Sequence, residues 1–211
     1  MAITLESRGS LVVLSSPSGG GKSSICKALL GSDPQLGYSV STTSRDRRGD
    51  EIDGRDYHFV TPERFGELIA ADAFYEWARV HGNFYGTRRE QIDAMLANGK
   101  DVVMDLDVNG GLAIKKLNDA AVLVFVLPPS MEVLEARLRH RNTDGEEVIV
   151  TRLRNARHEI HFAQKYDYVV VNEDLQRTIK LIHRIVECER HSAKHQIVHI
   201  TGEDAVVPGS A

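Results

Sequence analysis

The stretch LVVLSSPSGGGKSS, residues 11–24, joins an unbroken apolar run to a glycine-rich turn and then to Lys-Ser. An apolar run without polar alternation reads as a strand buried on both faces, the mark of a parallel sheet between helices. SPSGGGKSS matches G-x-x-x-x-G-K-[ST], with Ser16 in place of the first glycine. Glycines suit this turn because they let successive backbone N–H groups point inward at a phosphate, while the following helix adds its positive end. Ser18, Gly19, Gly20, Gly21, Lys22, Ser23 and Ser24 are therefore expected to cradle the phosphates of a nucleoside triphosphate. Lys22 would reach the β- and γ-phosphates, and the Ser23 hydroxyl would ligate Mg²⁺. The motif alone specifies a bound nucleoside triphosphate, since GTPases, ATPases and small-molecule kinases share it.

Outward from this turn, similar apolar runs recur at 102–104, 122–127 and 168–171, with helical patterns at 22–30, 88–98, 131–139, 146–165 and 175–194. Alternating strands and helices predict an α/β fold: a doubly wound parallel sheet with helices on both faces. The 211 residues suffice for one domain with insertions and fall short of two independent cores. A net charge of -4 argues against a general nucleic-acid partner, whose affinity would come from neutralising phosphates. Cys26 and Cys188 form no C-x-x-C pair, the N-terminus lacks an apolar leader, and no run approaches a membrane span. A reduced, cytoplasmic setting without membrane contact is expected.

Thr87-Arg-Arg-Glu90 reads as a capping box for the helix at 88–98, and Gly99 as its left-handed stop. Residues 38–87 interrupt the alternation with a polar, arginine-rich stretch, a short helix opened by Thr61-Pro62, and an aromatic segment; they read as an inserted subdomain. The polar patch within 139–157 has the composition of a lid, and residues 195–211 read as a loose tail. His191, His195 and His199 read as a solvated helix face rather than a metal site, because no carboxylate or cysteine completes the set.

The insert supplies phosphate-recognition chemistry: Arg45 and Arg48 can form bidentate bonds and Tyr57 a phenolic one. Asp105 and Asp107 stand at the carboxyl end of a buried strand, where ligands gather in such sheets. A carboxylate directly after a buried run is costly unless a cation is near, so Asp105 reads as a water-mediated magnesium contact. SVSTTSRDRRGDEIDGRDYHF (39–59), Glu76-Trp77-Ala78, GNFYG (82–86) and Asp105-Leu106-Asp107 together resemble the guanylate kinase family from residue 11 to about 175. Ser44 stands where threonine is usual, Asp50 precedes Glu51, Asn109 replaces glutamine, and Asn142 replaces glycine.

The resemblance implies an insert that binds GMP, with Arg45, Arg48, Tyr57 and Tyr85 on its phosphate and Ser41, Glu76, Thr87 and Asp107 on its base. Guanine's N1–H and N2–H₂ donors suit carboxylates and its O6 suits a hydroxyl, the reverse of adenine. It further implies that the lid brings Arg137, Arg141 and Arg152 to ATP, with Lys22, Arg137 and Arg152 catalytic; Arg139, Arg154 and Arg157 read as surface charges, for which Glu146, Glu147 and Glu159 offer partners. The implied reaction is γ-phosphoryl transfer from ATP to GMP, and to dGMP, with Mg²⁺ as cofactor. A GTPase is the first rival, but its N-K-x-D is absent from the chain. A non-enzymatic guanylate kinase-like scaffold module is the second, and Lys22 with Ser23 argues against it.

Overall fold

The computed structural model describes residues 2–80, 82–140 and 145–201. In chain order the elements are β1 (Ala2–Ser7), β2 (Leu11–Ser15), α1 (Lys22–Ser32), β3 (Leu36–Tyr38), β4 (Thr42–Thr43), β5 (His58–Phe59) and α2 (Pro62–Ala70). They continue as β6 (Phe74–Val80), β7 (Asn83–Arg88), α3 (Arg89–Ala97), β8 (Asp101–Asp105), α4 (Val108–Leu117), β9 (Val122–Leu127) and α5 (Met131–His140). The last are α6 (Glu146–Ile160) with a 3-10 turn at His161–Lys165, β10 (Tyr168–Val171), α7 (Leu175–Arg190), a second 3-10 turn at Ala193–His195, and β11 (Gln196–Thr201).

Each strand read from an apolar run lies in one five-stranded sheet of order β10-β9-β2-β8-β3, parallel throughout. Successive side chains of β2 leave by opposite faces. Val12 and Leu14 join Ile25 and Leu29 of α1 and Ile182 of α7, whereas Leu11 and Val13 join Ile92 of α3 and Ile114 of α4. Two cores on two faces explain why the run has no polar alternation. β3 is too short to have stood out in the sequence.

Residues 42–88 build a second sheet of order β5-β4-β7-β6, antiparallel except between β4 and β5. Phe65 of α2 stacks on Phe74 and Phe84, with ring centroids 4.5 and 5.2 Å apart, so this sheet has an aromatic core of its own. Thr61 caps α2 by accepting the Arg64 amide.

Several expectations need correction. Thr87 does not cap α3: it lies in β7, and the residue at the cap position, Arg88, makes no side-chain capping bond. Gly99 does stop that helix with φ 71°. The loose tail expected from 195 begins instead with β11, paired antiparallel to β1; the remainder lies outside the described residues. His195 is buried in the second 3-10 turn and His199 meets Glu6 across the terminal ribbon, so these histidines do not share a solvated helix face.

Arg190, at the end of α7, donates to Asp33 after α1 and to Asp101 of β8, whose other oxygen accepts the Ser10 amide and hydroxyl. Burial alone would raise the Asp33 pKa, but bonds from Arg190 and the Gln35 amide, with the Arg190 charge, hold it below the ordinary value. Because it is lowered, the stability it contributes is present above its unfolded pKa of about 3.9 and lost as pH falls through the folded value. Asp33→Asn should therefore cost about 3 kcal/mol near pH 7, the scale of breaking a buried pair. Thermal melts should show that gap constant down to about pH 5 and narrowing below about pH 4.

Candidate active site

The turn between β2 and α1 takes its shape from glycine. Gly19 and Gly21 have φ of 91° and 100°, a left-handed region costly to any residue with a Cβ. Space is equally restrictive: a Cβ on Gly20 would lie 2.7 Å from Ser16 Oγ, and one on Gly21 2.7 Å from Asn172 Nδ2. Ser16, where the motif has glycine, is buried and turns its hydroxyl to the Pro17 carbonyl.

Lys22 lies at the mouth of this turn and donates to the Ser16 carbonyl at 3.2 Å. Burial lowers its pKa, while the carboxylates of Asp105, Glu159 and Asp107 pull the other way and keep a cation there favourable. Ser23 Oγ donates to Asp105 Oδ2 at 3.0 Å, and the Tyr38 hydroxyl donates to Asp105 Oδ1 at 2.9 Å. The aspartate predicted beside magnesium is thus held by the serine predicted to share the ion.

Beyond Asp105 opens a cleft of about 670 Å³ between the two sheets, lined by Ser41, Glu76, Tyr85, Asp105 and Asp107 among others. Thr87 Oγ1 donates to Glu76 Oε1 at 2.6 Å. Burial raises the Glu76 pKa, the Thr87 bond opposes this, and the Asp107 charge adds to the rise. Asp107 also caps α4, accepting the Gly110 amide at 2.8 Å through Oδ1. Past Tyr85, Arg45 forms a two-pronged pair with Glu51, at 2.8 and 3.0 Å, and lies over the Tyr57 ring at 5.3 Å. Tyr57 and Tyr85 meet edge to face at 6.1 Å. Arg48 joins the group through its amide, which donates to Glu51 at 2.9 Å, while its side chain is exposed.

On the other side of the turn, Arg137 of α5 donates to the Asn172 carbonyl at 2.9 Å, and Asn172 Nδ2 donates to the Gly20 carbonyl at 3.0 Å. Arg137 Nη1 is buried without a hydrogen-bond partner among the described residues.

The sequence profile described as guanylate kinase matches residues 8–189. The chain belongs to the guanylate kinase family. It is 44% identical to the guanylate kinase of Rickettsia felis over 191 residues, 90% of this chain and all of that one. It is 50% identical to that of Mesorhizobium japonicum over 187 residues, 88% of this chain and 86% of the relative. The crystal structure of guanylate kinase from Anaplasma phagocytophilum superposes with a TM-score of 0.72 at 34% identity, covering 92% of each chain. The family is one of ATP:GMP phosphotransferases, and the α/β architecture is shared with it.

Within this guanylate kinase frame, Ser41, Glu76, Tyr85, Asp105 and Asp107 converge on one cleft, and Thr87 lies behind Glu76. Arg45, Arg48 and Tyr57 are gathered around Glu51 rather than along the cleft lining. Arg152 is half-buried on α6, and Arg141 lies outside the described residues, as does Asn142. Arg139 pairs with Glu135 and Glu146, as a surface charge would. Glu159, offered as a partner for such arginines, lies near enough to Lys22 for the two charges to interact.

Sequence reasoning missed Glu51, Asn172 and α4. Asn172 directly follows the buried run of β10, and the argument applied to Asp105 would have flagged it. α4 opens on Val-Asn-Gly-Gly, a poor helix former, and depends on Asp107 as its cap. Gly21→Ala tests the backbone constraint. It should cost about 1–2 kcal/mol from the left-handed conformation alone, seen as a lower melting temperature, and weaken ADP binding more than tenfold by calorimetry.

Proposed function

We propose that the cleft receives GMP with its base against Ser41, Glu76, Thr87 and Asp107 and its phosphate toward Tyr57, Tyr85, Arg45 and Arg48. The observation that carries this reading is the half-buried Glu76 carboxylate, positioned by Thr87 and facing a cleft that also holds Asp107. Two acceptors at a base site call for N–H donors, which guanine offers at N1 and N2. The ribose plays no part in these contacts, so dGMP is accepted as well.

ATP enters from the opposite side, its phosphates on the backbone amides and hydroxyls of residues 18–24 and on Lys22, with Arg137 and Arg152 completing the charge. The unpartnered Arg137 Nη1 supports this role. Among the described residues no cluster of three His, Cys, Asp or Glu forms a protein cage for a metal. Ser23 and Asp105 nevertheless fit magnesium, which is held mainly by phosphates and waters, with Asp105 acting through water. Magnesium, when bound, neutralises charge on the β- and γ-phosphates.

Transfer needs alignment and charge neutralisation more than proton removal. The acceptor is a phosphate with a second pKa of about 6, already dianionic at neutral pH, so no general base is required. Residues 38–87 act as the GMP-binding insert and residues 139–157 as a lid that excludes water when both substrates are bound. A cytoplasmic setting belongs to the same reading, and the free thiols of Cys26 and Cys188 are compatible with it.

Lys22→Ala should lower kcat by about 10²-fold or more, because the lysine stabilises charge on the transferring group, with the melting temperature nearly unchanged. A coupled assay on the purified variant checks this. Base selectivity is the sharper test: AMP would leave Glu76 and Asp107 unpaired, so kcat/KM should favour GMP by about 10⁴-fold, with IMP intermediate. Glu76→Gln should weaken GMP use without creating AMP use. Wild-type AMP turnover within about tenfold of GMP, roughly 1.4 kcal/mol, would overturn the assignment.

A further inference from the structure

β3 ends on Tyr38, paired to Val103 of β8, and from there the chain leaves the parallel sheet for β4 of the second one. Side chains alternate along a strand, so Leu36 and Tyr38 share a face. Leu36 is buried with Ile25 and Leu29 of α1, yet among the described residues neither core of the sheet includes Tyr38, which is exposed. Its engagement is polar instead: the hydroxyl donates to Asp105 Oδ1 at 2.9 Å. Ser23, on the first turn of α1, donates to the other oxygen, Oδ2, at 3.0 Å. Burial and the Asp105 charge raise the Tyr38 pKa, so the phenol stays protonated and remains a donor at neutral pH.

A carboxylate that reaches a cation through water works only if its lone pairs point at that water, and an unrestrained aspartate turns about both of its side-chain bonds. One donor would hold one oxygen and leave the carboxyl plane free to swing about it. Two donors, from different elements and on different oxygens, fix the plane, and each oxygen keeps a lone pair for water. Ser23 can keep its bond while ligating the ion, because a hydroxyl has one hydrogen and two lone pairs. We propose that Tyr38 is a positioning residue of the magnesium site: its hydroxyl orients the Asp105 carboxylate, with Ser23 as the second anchor. The proposal rests on the reading of Asp105 as a water-mediated magnesium contact.

Tyr38→Phe keeps the ring and removes only the hydroxyl. Calorimetric titration of ADP into the full-length wild type, Tyr38→Phe, Asp105→Asn and the double variant, each with Mg²⁺ and again in EDTA, tests the proposal. The quantity read is the gain in ADP affinity that magnesium gives. In Tyr38→Phe that gain should fall about fivefold, below the roughly 10- to 100-fold typical for partners of direct metal ligands, because Asp105 acts through water. ADP affinity in EDTA should match the wild type, and the Mg²⁺ concentration for half-maximal turnover should rise in the same ratio as the gain falls. In the Asp105→Asn background Tyr38→Phe should have no further effect, since a residue acting through Asp105 has nothing left to orient, whereas an independent structural role would add. A wild-type gain in Tyr38→Phe, or an equal loss of affinity with and without magnesium, would overturn the proposal. If Asp105→Asn also kept the wild-type gain, the magnesium reading itself would fail; if Asp105→Asn lost it and Tyr38→Phe did not, only the role of Tyr38 would.

Discussion

The phosphate turn has to hold its backbone amides inward with almost no side chains of its own, and much of the surrounding structure follows from that constraint. Gly19 and Gly21 supply left-handed backbone that a Cβ would strain. The same freedom makes the turn floppy unless other elements hold it. They do so from several directions: β2 below it is buried in two cores, α5 presses leucines on Gly19, and Asn172 after β10 takes the Gly20 carbonyl. The parallel sheet brings these together, because the carboxyl ends of β2, β8 and β10 meet along one edge.

Charge is the second organising force. Lys22 lies among Asp105, Asp107 and Glu159, and its ammonium loses part of its hydration there. On the acceptor side the arrangement is inverted. Arg45 is fixed by Glu51 and by the Tyr57 ring, so its guanidinium has a set orientation. Preorganisation of this kind reduces the ordering cost of binding.

The corrections share one cause. Thr87 matched a capping box, yet in β7 its hydroxyl points across the strand pair to Glu76, and α3 begins without it. Asp107 reads in the sequence as a contact to the base, and in the structure it caps a helix that the sequence hides. His195 looked exposed at helical spacing, but α7 ends at Arg190 and the chain folds back to form β11. In each case a local pattern was real, and a contact distant in sequence claimed the side chain.

The sequence by itself determined the class of sheet, the phosphate turn and the family. Unbroken apolar runs can only be buried on both faces, and Gly-Gly-Gly-Lys-Ser after such a run leaves few other shapes. It also offered candidate acceptor residues, through a dense set of hydroxyls, arginines and acids, of which Ser41, Glu76, Tyr85 and Asp107 line one cleft. Only the tertiary structure decided that Glu51 fixes Arg45, that Asn172 locks the turn, and that the termini pair as a ribbon. The physical reason is range: periodicity and capping act within a few residues, whereas these contacts depend on which carboxylates and amides the fold brings together once water has been excluded between them.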